Sequence, residues 1–436
     1  MSELNEFFEK FADPETQLPI VPEDDWQWVL LEYGIPVVKT ALADYIVNYK
    51  VPFPYRRISE NKAIKRFFKL HDMGMESLLI KRDERRVFEK YEFKYNWNEY
   101  GLYVINMGNA YNAVSDHFHN TLRMGCNAWG FMNPVERWEK GIKIEQLIAP
   151  IFRLSDENQS LKEEAYRKAI RLSAYVATQF RPSSAKFLYE AYGAETILDT
   201  SMGWGDRLAG FWCTSSAKEY VGFDPNPNTF EIYKEQCLFY HKLCGGGSYQ
   251  VVNEGSNNYW EFTSDNKHVQ IIREPSEDVS WWAWENYFDM VFTSPPYFST
   301  ERYNEGGEHE DDQSWKRYDT FESWKDDFFL PTSLKTWSAI KDDGYMCINI
   351  TEPKVKGTVH KLCDDFVDTM IKEPDCNFLG QVGMRMMQRP NTVKYESEDR
   401  MEFYDRIYTE PVWMFRKNNE EHPFPFERGT LESFFV

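Results

Sequence analysis

The second half of the chain alternates short apolar runs with amphipathic stretches, and turns bearing glycine or proline separate them. Leu161, Ala165, Ala169, Leu172 and Val176 recur at helical spacing behind Ser160 and Glu163, a capping-box pair, so the pattern predicts a helix from Ser160 towards Phe180. A prolyl turn over residues 179–184 and a short helix over 185–192 lead to Ile197-Leu198-Asp199, the first strand. Residues 220–224 form the second strand, 250–252 or Ile271-Ile272 the third, and 289–293 the fourth. A helix around 328–340 precedes Gly344, residues 345–350 are the fifth strand, and 411–415 the last. Strands alternating with helices in this way indicate an α/β fold, a Rossmann-like parallel sheet with helices on both faces. Residues 1–155 lack the alternation, so they are expected to form an N-terminal extra domain, with the sheet domain over 156–436.

Charge changes this picture little. The chain has 50 basic and 70 acidic residues, a balance of −20, which argues against a protein coated in nucleic acid, so a polyanion has to meet a local basic patch. One such stretch runs from Arg56 to Lys94 and includes Lys62, Lys65, Arg66, Lys69, Lys81 and Arg82 with aromatic residues between them; it suits either a nucleic-acid surface or the solvated face of a helix. No stretch has the apolar length to cross a bilayer and the start is acidic, so a cytoplasmic protein is expected. Seven cysteines without CxxC spacing are expected to be reduced, buried and inert, and no Cys/His/Asp cluster has the spacing of a metal site.

In open α/β sheets ligands bind beyond the carboxyl ends of the strands, where Asp199, Gly203, Gly205 and Asp224 would lie. Glycines admit a ligand close to the backbone, and an acid about twenty residues later holds ribose hydroxyls. The segment Phe180-Arg181-Pro182-Ser183 opens a helix with a hydroxyl and backbone N–H groups suited to a carboxylate. A ligand with adenosine at one end and an amino-acid carboxylate at the other is S-adenosylmethionine. Past the fourth strand, Thr293-Ser294-Pro295-Pro296-Tyr297 forms a stiff corner, because the prolines fix φ and lack N–H groups.

Phe180-Arg181-Pro182, the run from Asp199 to Gly205, Asp224, the TSPPY corner and the run from Glu410 to Arg416 together resemble the DNA methyltransferases that modify N4 of cytosine or N6 of adenine. The likeness covers about residues 160–417 and implies a class I methyltransferase sheet with S-adenosylmethionine as methyl donor. It implies a catalytic corner of Ser294, Pro295, Pro296 and Tyr297, in which the Ser294 side chain and a proline carbonyl accept from the target amine and Tyr297 stacks on a base extruded from DNA. It also implies a cofactor site of Phe180, Arg181, Pro182, Ser183, Asp199, Gly203, Gly205 and Asp224, with Asp278 or Glu277 near the adenine. Serine at position 294 is closer to the N4-cytosine enzymes, and C5 methylation is disfavoured because the chain has no Pro-Cys pair. Gln388-Arg389-Pro390-Asn391 either touches the target strand or is a plain hairpin loop. The chain departs from the family at Thr200-Ser201, where Pro-Phe is usual, and in the acidic run from Glu301 to Asp312, expected to be a mobile loop pointing away with a solvated His309. Two other readings stay open: a methyltransferase fold that binds a partner without catalysis, and methylation of RNA.

Overall fold

The computed structural model describes residues 2–81, 87–89, 91, 93–95, 103–106, 108–127, 131–152, 160–252, 258–300, 302–303, 305–386 and 407–418. The chain forms two compact units. The first consists of Met1–Arg57, Asn120–Thr178 and Arg302–Glu310; the second of Ile58–His119, Gln179–Glu301 and Asp311–Val436. Residues from both sides of the expected boundary thus share each unit.

Seven strands form the centre of the second unit: β1 (Thr196–Asp199), β2 (Glu219–Phe223), β3 (His268–Ile272), β4 (Phe288–Thr293), β5 (Ile340–Asn349), β6 (Cys376–Met386) and β7 (Ile407–Lys417). They pair in the order β3-β2-β1-β4-β5-β7-β6 within a 12-stranded sheet. All neighbours are parallel except β7, which runs antiparallel to β5 and β6. This is the class I methyltransferase sheet. Beyond β3 the sheet continues antiparallel through Tyr259–Ser264 and Tyr249–Val252; beyond β6 it takes up Tyr103–Ile105 and Leu79–Lys81, and Val87–Glu89 pairs with β7.

Near-continuous apolar sequence is what a strand covered on both faces requires, and β4, FDMVFT, is buried at every position but Asp289. From Met290 to Phe292 its side chains alternate between two cores. Met290 and Phe292 join Ile197 and Leu208 on the side of helices α1 (Pro182–Ala191), α2 (Asp206–Trp212) and α3 (Pro227–Leu243). Val291 joins Leu198 on the side of α4 (Leu330–Ser338) and α5 (Cys363–Met370).

Local pattern misplaced several boundaries. The helix expected from Ser160 runs over Glu163–Ser173, with Lys162 at its N-cap and no side-chain cap. Leu161 and Val21 exchange backbone hydrogen bonds of 2.9 Å each way, which holds the chain extended where the capping box was predicted. Of the two candidates for the third strand, Ile271-Ile272 lies in β3, and residues 250–252 lie in the outermost strand. The helix expected over 328–340 is a π-helical turn, Trp324–Phe329, followed by α4. Four cysteines are buried, but Cys244 is exposed and Cys126 and Cys376 are half-buried, which corrects the expectation that all seven are interior. No helix among the described residues is long and apolar enough to cross a membrane.

The first unit is helical, with a core that includes Phe8, Trp26, Leu42, Tyr45, Trp138 and Tyr166. Two buried polar groups tie it together: Tyr166 Oη donates to the Pro19 carbonyl at 2.9 Å, and Trp138 Nε1 to the Val51 carbonyl at 2.7 Å. Residues 302–310, expected as a mobile loop, are built into this unit. Asn127 Nδ2 donates to the Glu305 carbonyl at 3.2 Å, and the Thr178 and Tyr303 hydroxyls lie 3.3 Å apart, while His309 is exposed as expected. Replacing Trp138 by Phe keeps the ring but leaves the Val51 carbonyl buried without a donor, so Trp138→Phe is expected to destabilise this unit by about 1–3 kcal/mol, read from denaturant unfolding.

Candidate active site

The carboxyl ends of β1 and β4 meet at Asp199, which the Tyr220 side chain of β2 also reaches. This carboxylate is fully buried and accepts four hydrogen bonds: from Arg207 Nε at 2.8 Å, Tyr220 Oη at 2.6 Å, Thr293 Oγ1 at 3.0 Å and the Ser201 amide at 3.2 Å. A carboxylate offers about four acceptor positions, so none is left for a ligand. The cofactor contact expected of Asp199 is therefore replaced by a structural one, joining three neighbouring strands. Arg207 is buried with it; burial alone would lower the guanidinium pKa, but the Asp199 carboxylate outweighs this and raises it. Arg207 also donates to the Ser201 carbonyl and lies 5.2 Å from the centre of the Phe180 ring.

The glycine turn follows. Gly203 (φ +58°) and Gly205 (φ +67°) both occupy the left-handed region, where glycine alone is unstrained. Their surroundings differ. A Cβ on Gly205 would stand 2.2 Å from Gln236 Oε1 and 2.9 Å from His119 Nε2, so this glycine serves the packing of the protein on itself. A Cβ on Gly203 would meet nothing nearer than the Ser201 carbonyl at 3.9 Å, so this turn faces open space. Asp224, one residue past β2 and half-buried, accepts from the Gly203 amide at 2.8 Å and the Asn226 amide at 3.0 Å. The hydroxyls of Tyr233 and Thr229 lie 3.2 and 3.4 Å away, but each has a single hydrogen and a nearer acceptor for it, the Gly203 carbonyl for Tyr233 and the Asn226 carbonyl at 3.0 Å for Thr229, so Asp224 keeps acceptor capacity. Burial pushes its carboxyl up to about 6.

The remaining cofactor candidates are more tightly held than the sequence suggests. Phe180 packs its ring edge against Phe292, with centroids 5.5 Å apart. Arg181 is buried and donates to the Arg385 carbonyl at 2.6 Å, and Pro182 opens α1. Ser183 and Ser184 are fully buried, and their hydroxyls have no hydrogen-bond partner among the described residues. Asp278 is exposed, yet both its oxygens are taken by Arg317 Nη2, at 3.0 and 2.7 Å, while Glu277 accepts from Arg317 Nη1 at 2.5 Å.

The TSPPY corner leaves the end of β4 directly beside this cluster, since Thr293 itself binds Asp199. Ser294, Pro296 and Tyr297 are half-buried; Pro295 is buried and lines a small cleft with Thr200, Ser201, Ser276 and Thr293. The Pro296 carbonyl accepts from the Phe298 amide at 2.9 Å; the Pro295 carbonyl has no donor among the described residues. Phe298 adopts φ +47°, a strained conformation for a residue with a side chain, and its ring is held against Phe321, Trp324 and His360 at 5.8, 6.0 and 5.8 Å. Tyr297 Oη lies 3.1 Å from the Asn349 carbonyl and 3.2 Å from Asn349 Oδ1, and Ser294 Oγ 3.4 Å from that same Oδ1.

Sequence reasoning missed Arg207, Arg317 and Asn349. The one available signal was Asn349 itself, a polar residue inside the apolar run that ends β5. The helix Glu60–His71 from the basic stretch buries Ala63, Phe67 and Leu70 and exposes Lys62, Lys65 and Lys69, the arrangement of a solvated face over a core. Gln388-Arg389-Pro390-Asn391 lies outside the described residues.

The two glycines separate by substitution. Gly205→Ala combines a forbidden φ with a clash against His119 and Gln236 and is expected to cost about 2–4 kcal/mol, whereas Gly203→Ala carries the φ penalty alone, about 1–2 kcal/mol. Thermal or denaturant unfolding of the two variants checks the order.

Among solved structures, the chain is similar to a putative S-adenosylmethionine-dependent methyltransferase from Listeria monocytogenes, at 10% identity over 54% of this chain and 100% of that one, with a TM-score of 0.30. It is similar also to Trm1 from Pyrococcus horikoshii in complex with S-adenosyl-L-methionine (14% identity, 55% of this chain, 57% of that one, TM-score 0.30). A third similar structure is the tRNA m1G37 methyltransferase from M. jannaschii (14%, 57%, 53%, TM-score 0.29). These superpositions are too loose to bear on the fold, which stands on its strand order. No curated protein sequence matches the chain. A family model described as DNA methylase, of the N6/N4 type, matches residues 288–431, from the first residue of β4 to beyond β7. Through that segment, which contains the corner after β4, the chain is similar to the amino-methylating DNA methylases.

Proposed function

We propose that this protein transfers a methyl group from S-adenosylmethionine to the exocyclic amine of a base extruded from double- or single-stranded DNA, with N4 of cytosine the preferred target and N6 of adenine the other. The observation that carries the reading is the Pro295 carbonyl, which has no donor among the described residues and follows Ser294 at the carboxyl end of β4. The residues at the neighbouring strand ends fit the cofactor. Gly203 leaves open space that a Cβ would fill, and the half-buried Asp224 has acceptor positions for ribose hydroxyls. When bound, S-adenosylmethionine supplies a methyl group on a positively charged sulfur, open to displacement by a neutral nitrogen.

The chain's own part is to make that nitrogen nucleophilic. The amine lone pair is delocalised into the base, and two acceptors aimed at its hydrogens draw the nitrogen towards a tetrahedral shape and stabilise the positive charge growing on it. Ser294 Oγ and the Pro295 carbonyl are those acceptors, and the proline rings keep the carbonyl from turning away before the base arrives. Tyr297, half-buried and tied through its hydroxyl to Asn349, offers its ring to the base. Serine rather than Asp or Asn at position 294 underlies the preference for cytosine.

Incubating the protein with labelled S-adenosylmethionine and unmethylated DNA, then digesting to nucleosides, is expected to yield N4-methylcytosine; absence of both this product and N6-methyladenine on every duplex and single strand would overturn the reading. RNA offered in competition tests the substrate class. A second expectation concerns pH. Ionised Asp224 is an acceptor only, so cofactor affinity should rise as pH increases through about 6 and level off above it, and Asp224→Asn should abolish the step; calorimetry from pH 5 to 8 reads this. Stability has the opposite sign. Because the folded pKa lies above the unfolded one, the folded state is the better proton binder between about pH 4 and 6, and this group's contribution to stability shrinks as pH rises across that window.

A further inference from the structure

A serine hydroxyl is both donor and acceptor. Ser294 serves an amine as acceptor only if its own hydrogen is directed elsewhere, a requirement that Asp or the carbonyl of Asn at this position would not have. Among the described residues, one side chain offers an acceptor for that hydrogen. Asn349 is the last residue of β5, and the parallel register that sets Ile348 opposite Thr293 brings Asn349 level with Ser294. Its side chain is buried, and Nδ2 donates to the Pro411 carbonyl of β7 at 3.0 Å. That bond settles which way the amide points. Oδ1 is turned towards the corner, 3.4 Å from Ser294 Oγ and 3.2 Å from Tyr297 Oη, and Tyr297 has a second acceptor in the Asn349 carbonyl at 3.1 Å. With Tyr297 directed to the backbone carbonyl, Oδ1 remains for Ser294.

We propose that Asn349 is a positioning residue for the methyl transfer: its Oδ1 takes the Ser294 hydrogen and leaves the hydroxyl with lone pairs alone towards the substrate amine. The inference rests on the function proposed above. It makes β7, through Pro411 and Asn349, part of the device that polarises the corner, although neither residue touches the substrate.

A double-mutant cycle tests it. Asn349→Leu is introduced into the wild type and into Ser294→Asn, whose side-chain carbonyl accepts without needing a hydrogen sink. In the wild type kcat for methyl transfer to DNA is expected to fall about ten- to hundredfold, with the cofactor Kd unchanged; in the Ser294→Asn background the same substitution is expected to cost less than about threefold. Equal losses in both backgrounds would assign Asn349 a purely structural role and overturn the inference while leaving the proposed function intact. Absence of transfer by the wild type would overturn both. Where Asn349→Leu melts too low to assay, Asn349→Ala replaces it in the cycle. Where Ser294→Asn alone abolishes transfer, Asn349→Asp decides: it keeps an oxygen facing Ser294 but loses the donor to Pro411, so it should retain more kcat than Asn349→Leu despite equal or greater loss of stability, and equal kcat would sink the proposal.

Discussion

The buried Asp199 carboxylate, surrounded by four donors, is the interaction on which the rest of the site depends. A buried charge is tolerated only when paired and hydrogen-bonded, and loss of one partner leaves an uncompensated ion. Arg207 supplies the opposite charge from α2, Tyr220 a hydroxyl from β2, Ser201 an amide from the glycine turn and Thr293 a hydroxyl from β4. One side chain thus sets the position of the turn that faces the cofactor space and of the residue preceding Ser294. The acid that resembles a ligand contact in the sequence is the part that brings the glycine turn and the TSPPY corner into register.

From Thr293 onward the corner is held from two further directions. The prolines restrict the backbone, and the strained Phe298 conformation is balanced by its ring's seat among Phe321, Trp324 and His360. Asn349 fastens both Ser294 and Tyr297 to β5. Strain and stiffness at this point are consistent with one purpose: acceptor groups aimed before the substrate arrives cost no reorganisation at the moment of reaction. The loop after β3 is clasped in a similar way, with Arg317 across Glu277 and Asp278.

Much of this architecture was legible in the chain. Five of the seven central strands announced themselves as apolar runs, because a strand covered by helices on both faces has no polar side to show. The β3 run was legible only as one of two choices, and β6 was not read at all; its sequence, CNFLGQVGMRM, mixes glycine, polar and apolar residues with no clear period. The Pro-Pro corner was recognisable because proline's effect on the backbone is local. The capping box at Ser160 failed for the opposite reason: the bonds between Leu161 and Val21 join residues far apart in sequence.

By itself, then, the amino-acid sequence determined the fold class, the rigid turn after β4 and the residue types available for the chemistry, since these follow from side-chain period, ring geometry and composition over a few neighbouring positions. The tertiary structure alone decided what surrounds each of them: that Asp199 accepts from four donors, that Gly203 borders open space while Gly205 packs against His119 and Gln236, and that Asn349 stands beside Ser294. Such distinctions depend on which donors lie opposite each group, and strand register and helix packing set these between residues tens to hundreds of positions apart.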